Sequence, residues 1–203
     1  KKTQVMLGQD SLPPALAVCS PRGWFVQDLL SEMVKKIISL DSSQAANELA
    51  HPDVLWVKPE KNVIKIDQIR EIGDFVYKTS QNSVKKVVAI EGAYLMNANS
   101  SNALLKVLEE SPNNTHLLLD AINLSSLIPT IRSRCQSLTV KTNKGYLVDW
   151  LQQEHGVSLD DDRLAEIRSP QRYVVLNDFD LNKWVTELSS TGDPSKLIDD
   201  LIQ

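Results

Sequence analysis

The chain has 203 residues, a length that suits one domain with a small appendage. Its 42% hydrophobic and 24% charged residues are typical of a globular protein, which excludes a largely disordered chain. The net charge of −4 argues against a protein that binds nucleic acid by general phosphate neutralisation, although it leaves room for a local basic patch.

Two cysteines, Cys19 and Cys135, lie far apart in the chain and form no CxxC pair. Their spacing predicts neither a zinc site nor a disulfide framework, and it fits a protein of the reducing cytoplasm. No apolar run approaches the roughly 20 residues that a membrane span needs, so no membrane partner is expected.

Short apolar runs alternate with helical patterns along residues 1–142. Buried strands are predicted at residues 15–19, 53–57, 87–90, 116–119 and 137–140. Amphipathic helices are predicted at residues 25–38, at residues 67–76 with Asp67 as the N-cap, and at residues 97–110. Strands and helices in this order predict an α/β domain with a parallel sheet that helices cover on both faces. Such sheets carry their functional loops at the carboxyl ends of the strands.

The pattern changes after Thr142, where short helical segments follow one another without further strands. We therefore predict three parts of the chain: the α/β domain at residues 1–142, a small helical domain at residues 143–177, and a helical stub at residues 178–203.

The turn after the first strand has the position of a phosphate-binding loop but lacks its residues. The pattern GxxxxGK(S/T) needs glycines for close backbone approach, a lysine for the β- and γ-phosphates and a hydroxyl for magnesium. This chain has Ser20 and Phe25 in place of the glycines, Val26 in place of the lysine and Gln27 in place of the hydroxyl. Loss of the lysine contact alone removes on the order of 4 kcal/mol, about a thousandfold in affinity. We interpret the segment around Gly23 as an ordinary strand-to-helix turn.

The end of the third predicted strand also lacks the acidic pair of an ATPase. That pair is an aspartate for magnesium followed by a glutamate that polarises water. Here the order is Glu91 and then Gly92, so no second carboxylate is present to act as a base. Glu91 remains able to contact a metal ion, but we interpret it as a solvated glutamate at a strand end. No catalytic group in cis, bound cofactor or metal is predicted.

The segment 128–136 contains an arginine turn, Arg132-Ser133-Arg134. From the residues alone, Arg134 can cap a helix, pair with an acid of the same chain, or act on a neighbouring protein. The residues alone favour the two local roles, although a chain that keeps such a turn without a phosphate loop of its own can also lend the arginine to a neighbour.

Five segments of the chain match the bacterial DNA polymerase III clamp loader, an AAA+ assembly, in order and spacing. They are Leu12-Pro13, Ser20-Pro21-Arg22-Gly23, His51-Pro52-Asp53, the helix Asn102-Ala103-Leu104-Leu105-Lys106-Val107-Leu108-Glu109-Glu110 and the turn Ile131-Arg132-Ser133-Arg134-Cys135. The last two segments are specific to the family. The chain resembles its delta-prime type of subunit, whose nucleotide site is degenerate, rather than the gamma/tau motor. The resemblance implies a RecA-like AAA+ module, a helical lid at residues 143–177 and the start of a helical collar at residues 178–203.

The resemblance also implies a role for the arginine turn. In the family this arginine reaches across a subunit boundary into a neighbour's ATP site, a role that falls on Arg134 here, with Arg132 and Ser133 at the interface. A guanidinium suits the task because it is a rigid fork that is always charged. The implied protein has no intrinsic activity and helps to load the sliding clamp onto primed DNA during replication. Its implied partners are gamma/tau-type motor subunits, which bind the ATP, and a delta-type subunit.

Two features depart from the family or from its active members. Relatives usually carry a four-cysteine zinc module before His51, whereas residues 40–50 are short and contain no cysteine, so no zinc is expected. Ala121 lies near the position where an active AAA+ strand carries a polar γ-phosphate sensor, and its apolar side chain agrees with a degenerate site.

Two other functions remain open from the sequence. One is a gamma/tau-like ATPase with an unorthodox site built from Lys85, Lys86 or Arg22 together with Glu91. The other is a module that contacts DNA directly. His51, followed by proline, is interpreted as fixing a turn rather than as binding a ligand.

Overall fold

The computed structural model describes residues 12–22 and 26–140 of the chain. The strands of this part are β1 (Ala15–Cys19), β2 (Val54–Val57), β3 (Lys86–Ile90), β4 (Thr115–Ala121) and β5 (Gln136–Thr139). Its α-helices are α1 (Val26–Ile37), α2 (Ile66–Tyr77), α3 (Ala98–Glu110) and the short α4 (Pro129–Arg132). The strands form one sheet in the order β2-β3-β4-β1-β5, and every neighbouring pair is parallel.

Helices cover both faces of this sheet, as the sequence predicted. Successive residues of a strand point to opposite faces, so the apolar runs of β1, β3 and β4 supply side chains to two separate cores. On one face Val88 and Ile90 of β3 belong to the core that includes α2 and α3 residues. On the other face Val87 and Ala89 belong to the core that α1 completes. The α/β fold class is therefore confirmed.

The predicted bounds agree with the structure to within two residues, apart from one helix cap. Helix α2 begins at Ile66, and Lys65 occupies the N-cap position instead of Asp67. The side chain of Gln68 accepts a hydrogen bond from the Lys65 backbone N–H at 2.9 Å, which stabilises the first turn. Asp67 lies inside that turn and pairs with Arg70 at 2.7 Å. The predicted N-cap was wrong because a glutamine at the third helical position selects an earlier start.

The segment before β2 fixes a turn and anchors a distant loop. The His51 Nδ1 atom accepts a hydrogen bond from the Asp53 N–H at 3.1 Å, which confirms the interpretation of His51 as a turn residue. The buried Asp53 carboxylate accepts three backbone N–H groups at 2.6 to 2.7 Å, all from the loop that precedes β3.

The predicted helical domain at residues 143–177 and the stub at residues 178–203 lie outside the described residues. Both assignments therefore stay predictions.

Candidate functional site

The carboxyl ends of β3, β4 and β1 lie side by side at one edge of the sheet, which we call the carboxyl edge. In parallel α/β proteins ligands bind at this edge. The Ser20 N–H, directly after β1, donates to the Ala121 carbonyl at the end of β4 at 2.9 Å. Glu91, directly after β3, donates its N–H to the Val57 carbonyl at 2.9 Å. The carboxyl edge thus carries both Ser20 and Glu91, two of the residues that the sequence identified as a degenerate nucleotide site.

The residue in the position of the phosphate-binding lysine belongs to the apolar core. Val26 is 6% exposed and lies in the cluster that packs α1 against the sheet. Gln27 is partly exposed, and Ser20 is buried with its hydroxyl donating to the Pro21 carbonyl at 3.4 Å. Gly23 and Phe25, the other predicted members of this loop, lie outside the described residues. Val26 therefore packs in the core and places no positive charge where a phosphate-binding lysine would lie.

Glu91 is held by its neighbours, so the interpretation of a solvated glutamate was wrong. Its side chain is only 15% exposed. The Trp56 indole N–H, from the adjacent strand β2, donates to the Glu91 carboxylate, and the Lys58 ammonium lies 3.9 Å from the same oxygen. Trp56 covers the carboxylate because parallel register places it one residue short of the end of the neighbouring strand.

Asp120 is a second carboxylate at this edge, and the sequence reasoning missed it. The side chain is 5% exposed and accepts the Gly92 N–H at 2.9 Å. Burial raises the pKa of Asp120 to about 6, and the nearby Glu91 charge acts in the same direction, while the Gly92 hydrogen bond and the Arg22 charge oppose the rise. Gly92 itself has a φ of +61°, a backbone conformation that suits glycine. An acid near the end of a buried strand was the available signal.

The carboxylates of Glu91 and Asp120 lie beside the Lys58 ammonium and within reach of the Arg22 charge, so this edge presents no excess of positive charge to an anion such as a phosphate. Within residues 12–22 and 26–140 no group of three or more histidine, cysteine, aspartate or glutamate side chains is placed to hold a metal ion. A cavity of about 430 Å³ at the same edge is lined by Cys19, Pro21, Ile122, Asn123, Leu124, Thr139 and Val140. None of these lining residues carries a positive charge.

Two of the three basic residues considered for an unorthodox ATP site lie at the wrong end of the sheet. Lys86 begins β3, so it is at the opposite edge from Glu91, and Lys85 directly precedes it. The Lys86 ammonium is buried and donates to the Phe75 carbonyl and to the Lys78 carbonyl, the latter at 2.7 Å. Arg22 follows β1, and its guanidinium lies 5.1 Å from the centre of the Tyr94 ring. Lys85 and Lys86 therefore do not reach the carboxyl edge.

The arginine turn occupies the other edge of the sheet, where the strands begin. Arg134 precedes the first residue of β5, Gln136, by two positions. Strand β4 runs between the two edges and is seven residues long, about 20 Å at the usual rise. The guanidinium of Arg134 is thus separated from the carboxyl edge of its own chain by the length of the sheet.

Both local roles that the sequence left open for Arg134 occur in the structure. Its Nη1 atom donates to the Thr130 carbonyl in the short helix α4 at 3.0 Å, so it caps the end of that helix. Its Nη2 atom forms an ion pair with the Glu109 carboxylate. Arg132 and Ser133 are exposed beside it, and the Ser133 hydroxyl also donates to the Thr130 carbonyl. The sequence does not indicate that Glu109 pairs with Arg134, because the two residues are 25 positions apart.

The comparisons with known proteins now identify the family. The profile described as DNA polymerase III, delta subunit, matches residues 15–144. The chain belongs to this family. A delta-prime subunit of DNA polymerase III from Pseudomonas aeruginosa is 47% identical over 87 residues, which are 42% of this chain and 26% of the relative. The delta-prime subunit from Haemophilus influenzae is 31% identical over 155 residues, which are 70% of this chain and 47% of the relative. The resemblance to delta-prime subunits is confirmed, and the chain spans less than half the length of each of these relatives.

Solved structures agree on the fold. A DNA polymerase III gamma subunit-related protein from Thermotoga maritima aligns with a TM-score of 0.71 at 21% identity, covering 100% of this chain and 67% of that one. The Thermotoga maritima RuvB Holliday junction branch migration motor aligns with a TM-score of 0.51 at 11% identity, covering 74% of this chain and 45% of that one. The AAA+ type of fold is therefore confirmed. No α-helix in the part of the chain that the structure describes is long and apolar enough to cross a membrane.

Proposed function

We propose that this chain is a non-catalytic subunit of a clamp loader, which loads the sliding clamp onto primed DNA during replication. Membership in the DNA polymerase III delta subunit family supports the replication role. In this proposal the chain contributes Arg134 to the ATP site of a neighbouring motor subunit, and it binds no ATP itself.

The position of Arg134 is the observation that carries the proposal. An arginine at the edge where strands begin cannot contact a phosphate at the carboxyl edge of the same chain, since β4 alone separates the two by about 20 Å. The side chain is 38% exposed on the surface of its own chain. A guanidinium that acts on ATP from this position must therefore do so in another molecule.

The carboxyl edge supports the second half of the proposal. A triphosphate requires positive charge and open backbone N–H groups. At this edge Val26 belongs to the core, the Gly92 N–H is taken by Asp120, and the acids Glu91 and Asp120 add negative charge. In this function gamma/tau-type subunits bind the ATP. The Glu91 and Asp120 carboxylates of this chain take no part in its hydrolysis.

The proposed partners follow from the same role. They are gamma/tau-type motor subunits and a delta-type subunit, with the sliding clamp and primed DNA engaged through the complex. An ATPase with an unorthodox site has less support, because Lys85 and Lys86 are away from the carboxyl edge. Direct contact with DNA has no specific observation in its favour, and the net charge of −4 opposes it.

The test is Arg134→Ala in a loader reconstituted with the full-length subunit. Single-turnover ATP hydrolysis at the site that adjoins this subunit should fall by about a thousandfold, the lower range for an arginine finger. Arg70→Ala is the matched control, since Arg70 is an exposed arginine that also pairs with an acid, on helix α2. The control should hydrolyse ATP at the wild-type rate. An unchanged rate in Arg134→Ala, in a loader that still assembles, would refute the role.

A further inference from the structure

The contact between Arg134 and Glu109 has a consequence for how the arginine is used. We propose that Glu109 holds the Arg134 guanidinium in the unengaged subunit and competes with the neighbour's phosphate for it. This inference rests on the proposed function, since it concerns the regulation of the same arginine. Glu109 is then a residue that sets how readily Arg134 is released to act on ATP.

The hydrogen bonds of the guanidinium provide the first argument. Both of its terminal nitrogens are occupied within the chain: Nη2 by the Glu109 carboxylate, and Nη1 by the Thr130 carbonyl at 3.0 Å and the Ser133 hydroxyl at 3.4 Å. An arginine binds a phosphate with these same nitrogens, often two at a time. Pairing with Glu109 therefore engages a nitrogen that end-on bidentate binding of a phosphate also uses, so the carboxylate and the phosphate compete for it.

Exposure provides the second argument. The Arg134 and Glu109 side chains are 38% and 50% exposed, so water and salt screen their attraction. An exposed pair of this kind shifts an equilibrium by about fivefold at most. A phosphate chain with more than one negative charge, in a site from which water is excluded, attracts the guanidinium more strongly. The pair is thus strong enough to hold the arginine in the free subunit and weak enough to yield to ATP.

The next residue, Glu110, offers a matched control. It also lies at the end of α3 and is exposed, but its carboxylate accepts a hydrogen bond from the Tyr77 hydroxyl at 2.8 Å instead of pairing with an arginine. Glutamine at position 109 or 110 removes one negative charge from the same helix end while keeping the shape of the side chain. The two substitutions therefore change the local charge equally and differ in the contact that they break.

The experiment compares Glu109→Gln and Glu110→Gln in the reconstituted loader with the full-length subunit. At low ionic strength, Glu109→Gln should raise hydrolysis at the adjoining site by about two- to fivefold, since an exposed pair contributes that much. Glu110→Gln should leave the rate as in the wild type. The gain should shrink as salt is added, because salt already weakens the pair in the wild type. A merely structural role of Glu109 would not produce a gain of this kind. A rate that is unchanged or lower in Glu109→Gln would overturn the inference.

Two further variants separate this inference from the proposed function. The double variant Glu109→Gln with Arg134→Ala should hydrolyse ATP as slowly as Arg134→Ala alone, and a faster double variant would show that Glu109 acts elsewhere. If Arg134→Ala is as active as the wild type, the proposed function fails and this inference fails with it. If Arg134→Ala is slow but Glu109→Gln brings no gain, the proposed function stands and only the competition by Glu109 is refuted.

Discussion

Replacing Asp120 with asparagine should remove a pH dependence from the stability of the chain. The carboxyl is 5% exposed, and burial is the main reason that its pKa is raised from 3.8 to about 6. Asparagine carries no charge at any of these pH values, and its side-chain oxygen remains able to accept the Gly92 N–H. The variant therefore isolates the cost of ionising this buried group.

The magnitude follows from the two pKa values. Because the pKa is higher in the folded state, the stabilisation is fully present below about pH 4, near the unfolded pKa, and is lost as the pH rises through 6. The difference between the unfolded pKa of 3.8 and the folded pKa of about 6 corresponds to roughly 3 kcal/mol of stability in total. Between pH 5 and pH 8 the wild type should lose about 1 to 1.5 kcal/mol through Asp120, and the asparagine variant should not.

Urea unfolding of both proteins at pH 5, 6, 7 and 8 measures this difference. The free energy of unfolding of Asp120→Asn minus that of the wild type should increase by about 1 to 1.5 kcal/mol from pH 5 to pH 7 and then level off towards pH 8. Asp74→Asn, at an exposed aspartate on α2, is the control and should show a constant difference. A constant difference in Asp120→Asn as well, or one that decreases with pH, would refute the burial of an ionisable carboxyl at this edge.

The other predictions concern the nucleotide and the Asp53 anchor. Calorimetry on the chain with magnesium and ATP should detect no binding, because Val26 stands where a lysine would contact the phosphates; micromolar affinity would contradict the proposal. Asp53→Ala should lower the free energy of unfolding at pH 7 by about 3 to 5 kcal/mol in urea titrations, because it removes the charged acceptor of three backbone N–H groups and the negative charge near the buried Lys86. Burial acts to raise the pKa of Asp53, but the three N–H donors lower it overall. The stabilisation by Asp53 should therefore be present above pH 3.8 and fade as the pH falls through the lowered pKa. A loss under about 1 kcal/mol in Asp53→Ala at pH 7 would contradict this account.

Much of the fold was readable from the sequence because its signals are local. The apolar run of β4 and the helical spacing in α3 each decide their own structure within a few residues. The one wrong cap, Asp67, was also a local question. There two polar side chains competed, and the reach of Gln68 back to the Lys65 backbone decided the start of the helix.

The candidate site was readable only where the information lies in single positions. The loss of the phosphate-binding lysine is visible at Val26 itself, without a structure. The contacts that define the rest join residues far apart: Trp56 to Glu91 over 35 positions, and Asp120 to Gly92 over 28. Such pairs depend on strand order and register, which periodicity does not specify, so Glu91 was wrongly interpreted as solvated and Asp120 was overlooked.

The carboxyl edge and the arginine turn make independent contributions to the proposed function, because the length of the sheet lies between them. A nucleotide at the carboxyl edge would leave Arg134 where it is, about 20 Å away along β4. Conversely, Arg134→Ala leaves every group of that edge in place. In a loader that still assembles, slow hydrolysis in Arg134→Ala together with no ATP binding by the chain is therefore the result expected from action on a neighbour's nucleotide. Slow hydrolysis in Arg134→Ala together with ATP binding by the chain would instead indicate an ATPase that also acts on its neighbour's nucleotide. The hydrolysis rate and the binding measurement together therefore distinguish a non-catalytic subunit from a motor subunit, which neither measurement does alone.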